Sequence, residues 1–151
     1  MSRSGYHDDL DDVLNLGRWR AQVASAVRGK RGQAFLKEML AALDAMPEGR
    51  LIEGDLEKGG EVCAIGAVGK TRGTDMSELD PECPEQVAHA FGIAHQMAAE
   101  IVYLNDEAGF RNETPRHRYE RMRAWVISQI RGDLVSTPAA LPNKTNTRRE
   151  G

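Results

Sequence analysis

Gly32-Gln33-Ala34-Phe35-Leu36-Lys37-Glu38-Met39-Leu40-Ala41-Ala42-Leu43-Asp44-Ala45-Met46 is the stretch that decides the fold. Phe35, Leu36, Met39, Leu40, Leu43 and Met46 recur at three- and four-residue spacing, with Lys37 and Asp44 opposite, which predicts an amphipathic helix with one buried face. Pro47 and Gly49 end it. Upstream, Leu16, Trp19, Val23, Ala26 and Val27 keep the same spacing and predict a second amphipathic helix. Gly29-Lys30-Arg31-Gly32 separates the two, because glycines this close weaken helical continuity, and so short a connection predicts an antiparallel helix pair. The acidic cluster Asp8-Asp9-Leu10-Asp11-Asp12 suits the positive end of a helix dipole and suggests a further short helix from Asp8.

Downstream, residues 50 to 63 carry the strand signals of the chain, and Lys58-Gly59-Gly60 predicts the turn of a small hairpin. Ala64 to Gly69, all small or apolar, is expected to be a short buried helix, and residues 71 to 84 a loop. A long helix should begin near Asp80-Pro81 or Pro84-Glu85 and run to Leu104. Val87, Ala90, Phe91, Ala94, Met97, Ala98 and Ile101 form its face, widened by Ile93 and Leu104. Thr114-Pro115 is a cap followed by proline at the first helical position, so a last helix with Tyr119, Met122, Val126 and Ile130 inside should start there and close at Gly132. The fold class is therefore mainly α, a compact helical bundle of about four to five helices with a small β-hairpin or extended segment in the middle. It is expected to be a single helical domain over residues 1 to 132, with 1 to 8 frayed and 133 to 151 a disordered tail.

The 151-residue length suits one domain, and the net charge of -3 supplies no global attraction to nucleic acid or an anionic membrane. No apolar run reaches a membrane span and the N-terminus lacks a signal-like stretch, so a cytoplasmic protein is expected. Cys63 and Cys83 read as free thiols. The four histidines are scattered, His89 and His95 fall on different sides of a helix, and neither cysteine forms a CxxC pair, so no metal site and no cofactor are expected.

Ala64-Ile65-Gly66-Ala67-Val68-Gly69-Lys70-Thr71 matches a relaxed phosphate-loop pattern with alanine in place of the first glycine, which would make a nucleotide hydrolase centred on Lys70. Its surroundings oppose that reading, since almost no strand precedes it and Arg72-Gly73-Thr74-Asp75 breaks the helix that should follow. No Ser or Cys lies in a nucleophile motif, so no catalytic residue is assigned. The arginines are the stronger lead. Arg18, Arg20, Arg28, Lys30 and Arg31, with Trp19, gather around the first interhelical turn, and Arg116, Arg118 and Arg121 crowd the last helix, where guanidinium forks could hold phosphate oxygens. Arg123 falls within the apolar face of that helix, and a buried charge requires a partner: Asp106, Glu107 or another carboxylate, stitching the last helix to the end of the long one.

Arg18-Trp19-Arg20, Gly29 to Leu36, Met39 to Leu43, Gly60 to Ala67, Asn105-Asp106-Glu107 and Arg123 to Val126 together resemble uncharacterised small proteins encoded in phages and prophages of proteobacteria. The resemblance covers most of residues 18 to 131 and carries no catalytic residue. It implies a non-enzymatic phage or prophage binding protein, with counter-defence inhibition of the anti-CRISPR kind as the expected role. A host protein is the favoured partner, held at Arg28 to Arg31 or at the acidic stretch Asp75 to Glu85. The alternative is a nucleic-acid or anionic signalling-nucleotide binding protein using both basic segments. Nothing in the sequence opposes a homo-oligomer.

Overall fold

The structure is a computed structural model that describes residues 13 to 131, so the helix expected from Asp8, the frayed start and the tail lie outside the described residues. In chain order it contains α1 (Val13–Arg28), α2 (Lys30–Asp44), β1 (Glu57–Lys58), β2 (Glu61–Val62), α3 (Ala64–Arg72), α4 (Pro84–Phe91), α5 (His95–Asp106) and α6 (Pro115–Gln129). The mainly helical architecture with a small central hairpin follows the sequence pattern. No helix among the described residues is long and apolar enough to cross a membrane.

The core is one cluster reaching from Val23 to Ile130, with Leu36, Met39, Leu43, Ile65, Met97, Ile101 and Met122 excluded from solvent. These are the positions at three- and four-residue spacing, because only one side of each helix can face its neighbours. Gly29 alone joins α1 to α2, in extended backbone. Gly32 then lies on the α1 carbonyls, where a Cβ would run into the Ala26 carbonyl oxygen.

The long helix expected to reach Leu104 is two helices. Gly92 adopts φ 73° and ends α4, its N–H donating 2.8 Å to the Ala88 carbonyl, and Ala94 in extended backbone opens α5. Apolar spacing continues across the break because Ile93 is buried as well. The periodicity therefore concealed a turn that the glycine alone marked.

The hairpin pairs Glu57 with Val62 and Lys58 with Glu61, turning at Gly59 and Gly60, both with positive φ as a two-residue turn requires. The preceding Leu51–Glu53 run joins no ladder. Its main-chain groups bond across the fold: Leu51 N donates to the Pro115 carbonyl at 3.1 Å and Ile52 N to the Val62 carbonyl at 2.9 Å. The Ile52 carbonyl accepts from Asn105 Nδ2 at 2.9 Å.

Asn105, 1% exposed, also caps α3 through Oδ1, which accepts from Ala64 N at 3.1 Å. Cys63 Sγ accepts from Gly66 N at 3.3 Å and completes that cap. α3 is buried along Ala64 to Gly69, and a Cβ on Gly66 would strike the Leu56 carbonyl oxygen. Two outcomes follow for urea denaturation. Gly66→Ala should lower stability by roughly 1–3 kcal/mol through overpacking. Asn105→Leu should lower it by roughly 2–3 kcal/mol, because it strands a buried N–H and a buried carbonyl.

Candidate functional site

Most arginines of the two basic segments are bonded within the fold, those of α6 the more completely. Thr114 Oγ1 caps α6 by accepting from His117 N at 3.0 Å, as the Thr-Pro signal predicts, and this phases the α6 arginines inward. Arg118, expected as a binding residue, is 6% exposed. It donates from Nε to the Asn105 carbonyl and from a terminal nitrogen to the Leu51 carbonyl, both at 3.1 Å, and reaches Glu53 at 3.2 Å. Arg121, also expected to bind, donates to the Leu104 carbonyl at 2.6 Å and grips Glu113 with two nitrogens at 2.7 and 2.8 Å. Arg116 pairs with Glu120 at 3.1 Å one helical turn on. None of the three is presented as a free guanidinium.

Arg123 has the carboxylate partner expected of it, but that partner is Asp44 of α2 at 2.6 Å and not Asp106 or Glu107, and its side chain, 40% exposed, is no buried charge. The tie between α6 and the end of α5 exists, but Arg118 and Arg121 make it through the Leu104 and Asn105 carbonyls. Those carbonyls belong to the last turn of α5, whose C-terminal end carries negative partial charge. Asp106 instead accepts from Asn105 Nδ2 at 2.8 Å and from Gly54 N at 3.3 Å. Glu107 is exposed at the α5 C-cap.

In the first segment Arg18 bonds Asn15 at 2.9 Å. Trp19 is half-buried with its ring 6.0 Å from that of His95, so it belongs to the α1–α5 packing and not to an open surface beside Arg31. Arg31 donates to the Gly92 carbonyl at 3.5 Å. Arg28 and Lys30 are exposed and meet no side-chain partner among the described residues.

Next to this corner lies a cleft of about 490 Å³ between α1, α5 and α6, lined by Arg20, Arg28, Glu100, Trp125 and Arg131 over apolar α1 side chains. Arg20, half exposed, makes a two-pronged bond to the buried Glu100 carboxylate at 2.9 and 3.4 Å. Burial pushes the Glu100 carboxyl up to about 7. The guanidinium beside it pulls in the opposite direction. Glu100 and Gln33 escaped the sequence reading, although an acid within Met97-Ala98-Ala99-Glu100-Ile101-Val102 is a signal, since a charge flanked by apolar residues on a helix must find a partner.

The remaining candidates close on themselves. Ala64 to Thr71 lies within α3, so its amides serve the helix and its caps rather than a phosphate cradle, and Lys70 Nζ donates to the Gly60 carbonyl at 2.9 Å. Cys63 and Cys83 are free thiols, and burial pushes Cys63 up to about 12, which holds it as a thiol. In the acidic stretch, Asp75 accepts from both Ser77 N and Ser77 Oγ, and Asp80 from Glu82 N. Arg72, which the sequence shows only as part of a helix break, forks onto Glu38 with two 2.7 Å bonds and lies over the Phe35 and Phe91 rings, clamping α3 to α2 and α4. Among the described residues no three His, Cys, Asp or Glu side chains form a metal-ligating group. Compared with known proteins, the chain matches no family model, no curated protein and no solved structure.

Two carboxyls give the stability a pH dependence of opposite sign. The hydrogen bond from Arg121 holds Glu113 at about 2 against its burial, helped by His117 and by the charges of Arg121 and Arg118. Its contribution is complete above the ordinary 4.5 and is lost as pH falls from there toward 2. Glu100 is raised, so the folded state binds the extra proton and its contribution fades as pH climbs from 4.5 through 7. Thermal melts should show Glu100→Gln gaining on the wild type between pH 5 and pH 8. A constant difference over that range would contradict the shift.

Proposed function

We propose that this chain is a non-enzymatic binding protein that holds an acidic surface of a host protein at the cationic corner between α1 and α2. The carrying observation is the separation of the two arginine clusters. Arg116, Arg118, Arg121 and Arg123 are bonded to the fold's own carbonyls and carboxylates, as Arg20 is to Glu100, whereas Arg28 and Lys30 stand exposed at a cleft that Arg131 also lines. Net charge of -3 with a local positive face suits a protein partner better than a long polyanion, which needs a continuous cationic track. The resemblance to phage and prophage proteins supplies the context: a counter-defence inhibitor, of which anti-CRISPR proteins are one kind. Binding of a nucleic acid or a signalling nucleotide is the rival, because the same guanidinium groups suit phosphates.

The two readings separate by salt and by mutation. Arg28→Glu combined with Lys30→Glu should weaken capture of the host protein at least tenfold while leaving the melting temperature within a few degrees, as exposed charges contribute little to stability. Capture unaffected by the double substitution would defeat the assignment of this face. Binding of DNA that falls steeply with added salt, with no protein partner recovered, would move the function to the rival.

A further inference from the structure

The cleft between α1, α5 and α6 is built before any ligand arrives. Gln33, buried on α2, donates from Nε2 to the Val27 carbonyl at 2.8 Å and to the Gln129 carbonyl at 3.0 Å, and its Oε1 accepts from Arg131 N at 2.8 Å. One amide thus fixes the end of α1, the end of α6 and the backbone of Arg131 relative to one another. Walls held in this way spare a ligand much of the entropic cost of ordering its site. At about 490 Å³ the cleft falls within the size range of ligand sites.

Its charges narrow the occupant. Among the described residues that line it, Arg20 offsets the Glu100 carboxylate, and Arg28 and Arg131 leave a positive excess that favours an anionic occupant. Dense polyphosphates are usually held by backbone N–H groups at helix N-termini or nests. The helix ends lining this cleft are C-termini, those of α1 and α6, whose carbonyls carry negative partial charge. A compact multiple charge set among them would meet both carbonyl ends at once. Carboxylates spaced along a chain avoid that clash, each meeting one guanidinium fork at the rim, while the apolar α1 side of the cleft accepts the aliphatic stems.

We infer that the cleft between α1, α5 and α6 binds an extended acidic peptide segment of the partner protein, with Arg28 and Arg131 holding its carboxylates. This deepens the binding-protein reading and rests on it. Trp125 lines the cleft and serves as a reporter once Trp19, the other of the two tryptophans, is replaced by Phe.

The probe is a synthetic Glu-rich octapeptide titrated into the Trp19→Phe protein at low salt, beside its Gln-for-Glu counterpart, GTP and inorganic phosphate. The acidic peptide should shift Trp125 emission saturably, the Gln peptide should not, and Arg131→Glu should weaken the acidic peptide at least tenfold. No shift with the acidic peptide, a shift indifferent to Arg131→Glu, or saturable binding of GTP in its place would each overturn the inference. Arg131→Glu leaves Arg28 and Lys30 intact, so the two readings fail separately. Loss of peptide with full capture of the host protein condemns the cleft alone, and peptide binding without any host protein captured condemns the partner reading alone.

Discussion

A buried guanidinium and a buried amide hold the middle of this fold together. Arg118 and Asn105 lie at the point where α5, α6, the start of α3 and the Leu51–Glu53 segment converge, and each bonds main-chain groups of more than one of these elements. A charge so enclosed is costly unless every donor is satisfied. Here main-chain carbonyls and the Glu113 and Glu53 carboxylates satisfy it, with Glu113 Oε1 3.4 Å from Arg118 Nε. The irregular segment before the hairpin can therefore sit inside the structure without a sheet to receive its backbone groups.

That arrangement shapes the surface. Because Arg118 and Arg121 turn inward to the end of α5, and Arg123 crosses to Asp44, the most arginine-rich helix contributes little free positive charge. The cationic surface shifts to the other end of the bundle, where α1 ends, α2 begins and α6 finishes. Gln33 does there on a smaller scale what Asn105 does in the centre, joining three chain segments through one side-chain amide. Centre and cleft thus share one device, a buried side-chain amide of α2 or α5 that bonds main-chain groups at helix ends and, for Asn105, in the segment before the hairpin.

Much of the architecture was legible locally. The hairpin followed from two glycines that accept positive φ, the α6 start from Thr114-Pro115, and the apolar faces from three- and four-residue spacing. The errors share one origin. A helical wheel places Arg123 among apolar residues and cannot say that Asp44 lies across from it. It shows Arg118 as one more surface cation and cannot say that α5 ends over it. Gly92 passed unnoticed because burial of Ile93 preserved the apolar period through the turn.

What the sequence by itself determined is the set of helices and their inner faces, because helical periodicity, caps and glycine turns act over a few neighbouring residues. Which arginines would bond inward and which would remain exposed only the tertiary structure decided. That choice depends largely on carbonyls and carboxylates up to 80 positions away along the chain, brought within 3.5 Å by packing. Local pattern carries no record of such distances.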